Sequence, residues 1–307
     1  RKTGGTGTTG LDVSVLNSGT VSVQTGTLRL GGGGTHTGSF GTTGTGVLQF
    51  GTGLHALQAT SAVTGTVLFT GFSQNGTADV TTVGGNYAAT ATTIGSSADV
   101  VFNSTGTTGT LTQINNGRLR GAGILTVTGA HALTSGSMTG SGQTLLQGNG
   151  TISSLSLDDD RLVQIAGTTT WTGTTSQRIW FNAVTSTGNG GSLAVTATGV
   201  FDIQADALMD YWQGTAGQFS NAGTIRKTVG TGTTGLDVQV LNSGTVSVQT
   251  GTLRLGGGGT HTGTLTATNS AVLQLGNGTH NLNAGAATGT GTVQLTSGTV
   301  NVTAPYK

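Results

Sequence analysis

The chain of 307 residues has no cysteine and no glutamate, and only one proline. All ten acids are aspartate, and charged residues make up 7% of the chain, against about 25% in an ordinary soluble domain. Each absence excludes something. Without cysteine there are no disulfides, no thiol chemistry and no thiolate metal sites. Without glutamate, and with few other good helix formers, an α-helical fold is excluded, because the glycine and threonine that replace them are poor helix formers. The net charge is +1 with no Lys/Arg cluster, so no surface neutralises phosphates and nucleic acid is not an expected partner. No run of 18 or more apolar residues is present, so no membrane span is expected. The chain starts at Arg1 with no basic segment followed by an apolar one, so no signal peptide is expected in it.

What is present is glycine, 58 residues of it, and threonine at a comparable level. Such a composition also suits disorder. Disordered chains, however, are poor in apolar residues and rich in net charge. Here 33% is hydrophobic, and Val and Leu recur at alternate positions, which favours ordered β-structure.

The chain repeats at two scales. Residues 1–40 recur as 226–265 at an offset of 225, differing only at Gly4/Val229, Ser14/Gln239, Ser39/Thr264 and Phe40/Leu265. The chain thus holds one long unit and a truncated second copy. The shorter scale is about 20 residues, a period typical of solenoid repeats. Leu253, Leu273 and Val293 follow it, as do Leu255, Leu275 and Leu295. The N-terminal copy runs Leu28, Leu48, Val67 and Leu30, Phe50, Phe69. The middle carries the step in Asp79 and Asp99, within two Ala-Asp-Val triplets, and in Leu119, Met138 and Leu157. Such a period means that repeats bury their apolar faces by stacking on one another. Within a coil the alternation is period two, as in Leu11, Val13, Val15 and in Leu28, Leu30. The intervening Asn-Ser-Gly, Gln-Thr-Gly and Gly-Gly-Gly-Gly segments mark turns. The expectation is an all-β protein: one continuous parallel β-helix (β-solenoid) over 1–307, right-handed by the crossover rule. About fifteen coils at roughly 4.8 Å each would make a rod on the order of 70 Å. Neither end reads as a cap, so end-to-end association with neighbouring repeats or copies is expected.

Candidate chemistry is sparse. His36 and His55 lie 19 apart, and His261 and His280 repeat them. On the outer surface they would form a metal pair or a pH-sensitive patch. The plainer reading is a stacked polar ladder at a turn, since two His with no nearby carboxylate are too few ligands for a closed site. Asp158, Asp159 and Asp160 form the one charge run. Right-handed β-helices include pectin-degrading enzymes with clustered acids on the outer face, which makes a carbohydrate-active reading worth stating. A solvated turn with an ion pair to Arg161 is the simpler account. Asp202, Asp206 and Asp210 have i, i+4 spacing and predict a short helical turn or a loop. With Tyr211 and Trp212 they are the leading ligand-facing patch, though an aromatic that closes the core at a bulge is the plainer reading. No phosphate loop is credible without a following helix, and Gly31–Gly34 lacks the Asp of calcium-binding nonapeptides. No catalytic residue, cofactor or metal is therefore assigned. Sequons occur at Asn75, Asn103, Asn149, Asn277 and Asn301, a number this composition produces by chance. Thr-x-Thr triplets raise ice binding as a third reading, but their irregular spacing and central glycines suit turns better.

The segments NAGTIRK at 221–227, NSGTVSVQTGTLRL at 242–255, FNSTGTTGTLT at 102–112 and GSMTGSG at 136–142 resemble repeats of very large Gly/Thr-rich bacterial surface proteins. In a general way they are similar to the β-helical shafts of filamentous haemagglutinin-type adhesins and autotransporter passengers. The resemblance implies a secreted or surface-displayed structural segment, non-enzymatic, that holds a cell to a surface, to other cells or to matrix; carbohydrate or a cell-surface ligand is the candidate partner. The alternative is a β-helical domain that binds or cleaves polysaccharide.

Overall fold

The computed structural model describes residues 1–71, 79–182, 189–283 and 287–303. They are all-β, without an α-helix, and no helix is long and apolar enough to cross a membrane. Strands stack in parallel about 20 residues apart, giving a β-solenoid of about 14 turns. Two compact units are formed, Arg1–Leu145 and Leu146–Lys307.

A coil holds three short strands. In the first unit, Thr20–Val23, Thr27–Leu30 and Gly34–His36 make one coil, and Ser39–Thr42, Val47–Phe50 and His55–Leu57 stack on it. In the coils that follow, the first two strands fuse into the longer Ala62–Thr70, Asn86–Gly95 and Gly106–Gln113. Most of the alternating residues fall as expected; the exception is Leu11, Val13 and Val15, which form no strand beyond Leu11, with Leu11 and Val13 exposed where their counterparts Leu236 and Val238 are buried. Leu28 and Leu30 are inward and Arg29 between them is outward, and their register runs Leu28, Leu48, Val67 and Leu30, Phe50, Phe69. In the second unit Leu253, Leu273 and Val293 pair in one column and Leu255, Leu275 and Leu295 in the next.

Stacking like on like also stacks aromatics. Phe50 and Phe69 lie 5.6 Å apart between centroids, Phe69 and Tyr87 6.2 Å, and Tyr87 meets Phe102 edge-on at 5.0 Å. In the second unit Trp171, Phe201 and Phe219 repeat the arrangement. Such pairs contribute roughly 0.5–1.5 kcal/mol each beyond the area they bury.

Corners bring backbones too close for a side chain. Gly34 and Gly259, equivalent in the two copies, have φ of 142° and 146°. A Cβ on either would lie 1.9 Å from the carbonyl oxygen of Val15 or Val240 on the coil before.

Two expectations are corrected. The Ala-Asp-Val triplets are not in register: Asp99 pairs with Val80, so the coil step there is 19 and Asp79 precedes its strand, accepting the N–H of Gly53 at 2.7 Å. Residues 202–210 form no helical turn. Val200–Ile203 and Leu208–Asp210 are strands joined by a turn, because Phe201 and Ile203 must both face inward to meet Ile225 and Lys227 of the next coil. In this stretch the coils are also longer than in either repeated block: Val163 pairs with Leu193 and Thr169 with Phe201.

Candidate functional site

The five histidines are inside the molecule, not on its surface. His36, His55, His261 and His280 are at most 1% exposed, and His131 is buried with them. Strands Gly34–His36 and His55–Leu57 pair with Gly34 opposite His55, so His36 Nε2 faces His55 Nδ1 at 3.4 Å with the rings stacked. The second copy repeats this at 3.2 Å. Burial pulls the imidazoles of His36, His131 and His261 down to about 4, and the neighbouring ring adds to this for His36 and His261. His55 and His280 are lowered too, chiefly by burial. The outer metal pair or pH-sensitive patch is thereby corrected to a neutral, hydrogen-bonded element of the core. The signal was present in Thr35-His36-Thr37 and His55-Ala56-Leu57, where each His occupies the inward parity of its strand. Among the described residues no group of three or more His, Cys, Asp or Glu could hold a metal ion.

In the charge run, Asp158 ends the strand Leu155–Asp158 and accepts Ser156 Oγ at 2.6 Å. Asp159 and Asp160 turn the chain with φ of 51° and 63°. Arg161, expected at the surface, is wholly buried, and burial lowers its guanidinium to about 10.

The Asp202–Trp212 region divides in two. Asp202 is buried and faces the next coil, where Arg226 lies 3.2 Å away and Thr228 donates at 2.7 Å. Burial would raise its carboxyl, but the hydrogen bonds from Thr228, Arg226 and Gln204 hold it below the usual carboxylate range. Asp206 takes the ammonium of Lys227 at 2.7 Å and the N–H of Gly232 at 3.0 Å. Here too the opposing effect of burial is outweighed, by Lys227 and Gly232, and the carboxyl is lowered. Both acids join coils to one another. Asp210, Tyr211 and Trp212 face outward instead. Trp212 is 78% exposed and Tyr211 44%. Asp210 pairs in register with Trp180, and Ser156 lies on the other side of that Trp. The N–H of Trp212 donates to Asn182 Oδ1 at 2.9 Å. Arg178, which the sequence did not single out, sits with its guanidinium carbon 5.1 Å from the Trp180 ring centre and 3.8 Å from Asp210. The structure thus brings Asp210 and Trp212 together with Arg178 and Trp180 and separates them from Asp202 and Asp206.

Other ion pairs also link coils: Arg29 with Asp12 and Arg254 with Asp237 at equivalent places, and Arg118 and Arg120 with the buried Asp99. The Thr-x-Thr triplets do not build a uniform threonine column, since the outward register reads Gly41, Thr64, Ala88, Thr107, Thr126. The sequon residues Asn103, Asn149, Asn277 and Asn301 are exposed. Asn75 and the side chain of Thr288 lie outside the described residues.

No protein-family model, no curated protein and no solved structure matches the chain.

Proposed function

We propose that the chain is a structural and adhesive segment of a giant secreted or surface-displayed repeat protein or extracellular filament, without enzymatic activity. The observation that supports this reading most is the repeat rebuilt in three dimensions. The near-identical blocks 1–40 and 226–265 share most of their strands, Gln239–Asn242 being present only in the second, with the same Arg–Asp pair and the same His pair leading into the next coil. A sequence that reproduces its coils in a second block suits lengthening by tandem addition, which fits a load-bearing part. The scarcity of charge supports it as well. The few ionic groups are largely spent on coil-to-coil pairs, and Lys and Arg within strands offer poor sites to trypsin-like proteases. By its resemblance to adhesin shafts the segment belongs outside the cell.

The test is antibody labelling of intact cells of the source organism, paired with a turnover assay on a polysaccharide panel. Labelling without permeabilisation and no turnover is the expected result. Labelling only after permeabilisation, or release of reducing ends, would overturn the reading.

A further inference from the structure

The fold hides its aromatic rings. Among the described residues every Phe is buried, as are Tyr87 and Trp171. The exceptions gather at one place in the second unit: Tyr211 and Trp212 are exposed, and Trp180 is half-buried on the adjacent coil. We propose that the outer face carried by Trp180 and Trp212 binds a neutral glycan, through the faces of its pyranose rings. The proposal does not rest on the structural reading above, and the two fail separately.

Three features argue for it. The first is spacing. Trp180 is in register with Asp210, and Trp212 lies two positions beyond, held by its N–H to Asn182. The two indoles therefore belong to neighbouring coils, Trp212 just beyond the strand that pairs with that of Trp180. Such a pair can lie under successive rings of one sugar chain. The second is charge. Arg178 and Asp210 are opposite and 3.8 Å apart, and the guanidinium lies against Trp180. The face has no excess positive charge to attract an anionic polymer, since Asp158 and Asp210 outnumber Arg178, yet it presents carboxylate acceptors and, stacked over one face of Trp180, guanidinium donors, as hydroxyl-rich rings require. Ser156, hydrogen-bonded to both Asn182 and Asp158, extends the polar rim. The third is size. A stable protein partner needs about 800 Å² on each side, whereas a few side chains offer much less. An exposed Trp still contributes most when it is covered by a ligand.

Calorimetric titration of the full chain with cellohexaose, maltohexaose and chitohexaose, and with a heparin hexasaccharide as the anionic arm, tests this. At least one neutral hexaose should bind saturably. Trp212→Ala and Trp180→Ala should each weaken that binding about tenfold or more, Trp212→Phe less, and Leu54→Ala, at an exposed position in the other unit, not at all. Unchanged melting curves show that Trp212→Ala is folded. The proposal is overturned if no neutral hexaose binds, if heparin alone binds, or if binding survives both Trp→Ala substitutions. It is equally overturned if Trp212→Ala abolishes self-association of a chain that binds none of the sugars.

Discussion

The ammonium of Lys227, wholly buried, lies 2.7 Å from the carboxylate of Asp206 on the coil before it. It also donates to Thr234 Oγ1 at 3.0 Å and to the carbonyls of Val229 and Ala205. In the first copy the same residue, Lys2, donates to Gly4 O and Thr9 Oγ1, the positions equivalent to Val229 and Thr234. One sequence thus sits in two environments, with a preceding acidic coil over Lys227.

That difference predicts an ordered series of stabilities. Asp206→Asn leaves a buried cation without its counter-charge and should cost about 3 kcal/mol. Lys227→Met should cost less, because Asp206 is 35% exposed and can rehydrate. Lys2→Met should stay within about 0.5 kcal/mol. Urea unfolding of the three variants checks the order, and an Asp206→Asn protein as stable as the parent would refute the assignment.

The buried histidines set an acid limit. An unfolded imidazole takes its proton near 6.5, while folded His36, His131 and His261 do so only at about 4. Between those values the unfolded chain holds more protons, so stability is complete above about pH 7 and falls as the pH is lowered. Each such group accounts for on the order of 3 kcal/mol by pH 4. Melting temperatures from pH 7 to 4.5 should decline, and His131→Leu should flatten the decline. A melting curve independent of pH over this range would contradict the burial.

Gly259→Ala should destabilise by at least about 2 kcal/mol, since the residue has left-handed φ and its new methyl would collide with Val240 O. Gly4→Val should be neutral. Nothing lies within 4 Å of a Cβ there, and the second copy already carries Val229. Thermal melts of both variants provide the comparison.

Leu275 and Leu295 share a column, yet Leu275 is fully buried and Leu295 is 53% exposed. Leu275→Ala should cost about 2–5 kcal/mol and Leu295→Ala under about 1 kcal/mol. Equal losses would mean that the column is not packed as described.

Most of the fold was legible because coil length and strand parity are both written in the chain. Leu253, Leu273 and Val293 declare the winding by themselves. What was illegible depended on neighbours distant in sequence. The i, i+4 spacing of Asp202, Asp206 and Asp210 suits a helix when read alone. Pairing of Val200–Ile203 with Thr224–Lys227 overrides it, since a strand between two others satisfies every backbone group. Arg178 and Trp180 went unremarked as site residues, because nothing local ties them to Asp210, a full coil further along the chain.

The sequence by itself determined that this is a parallel β-solenoid, and roughly where each strand turns. Periodic burial needs only the order of apolar and polar residues. Which polar groups face the interior, and which aromatics are left outside, was decided by tertiary structure. His36 is core and Trp212 is surface through the register between coils and the loops that lengthen some of them, and register is a relation between segments that no single segment encodes.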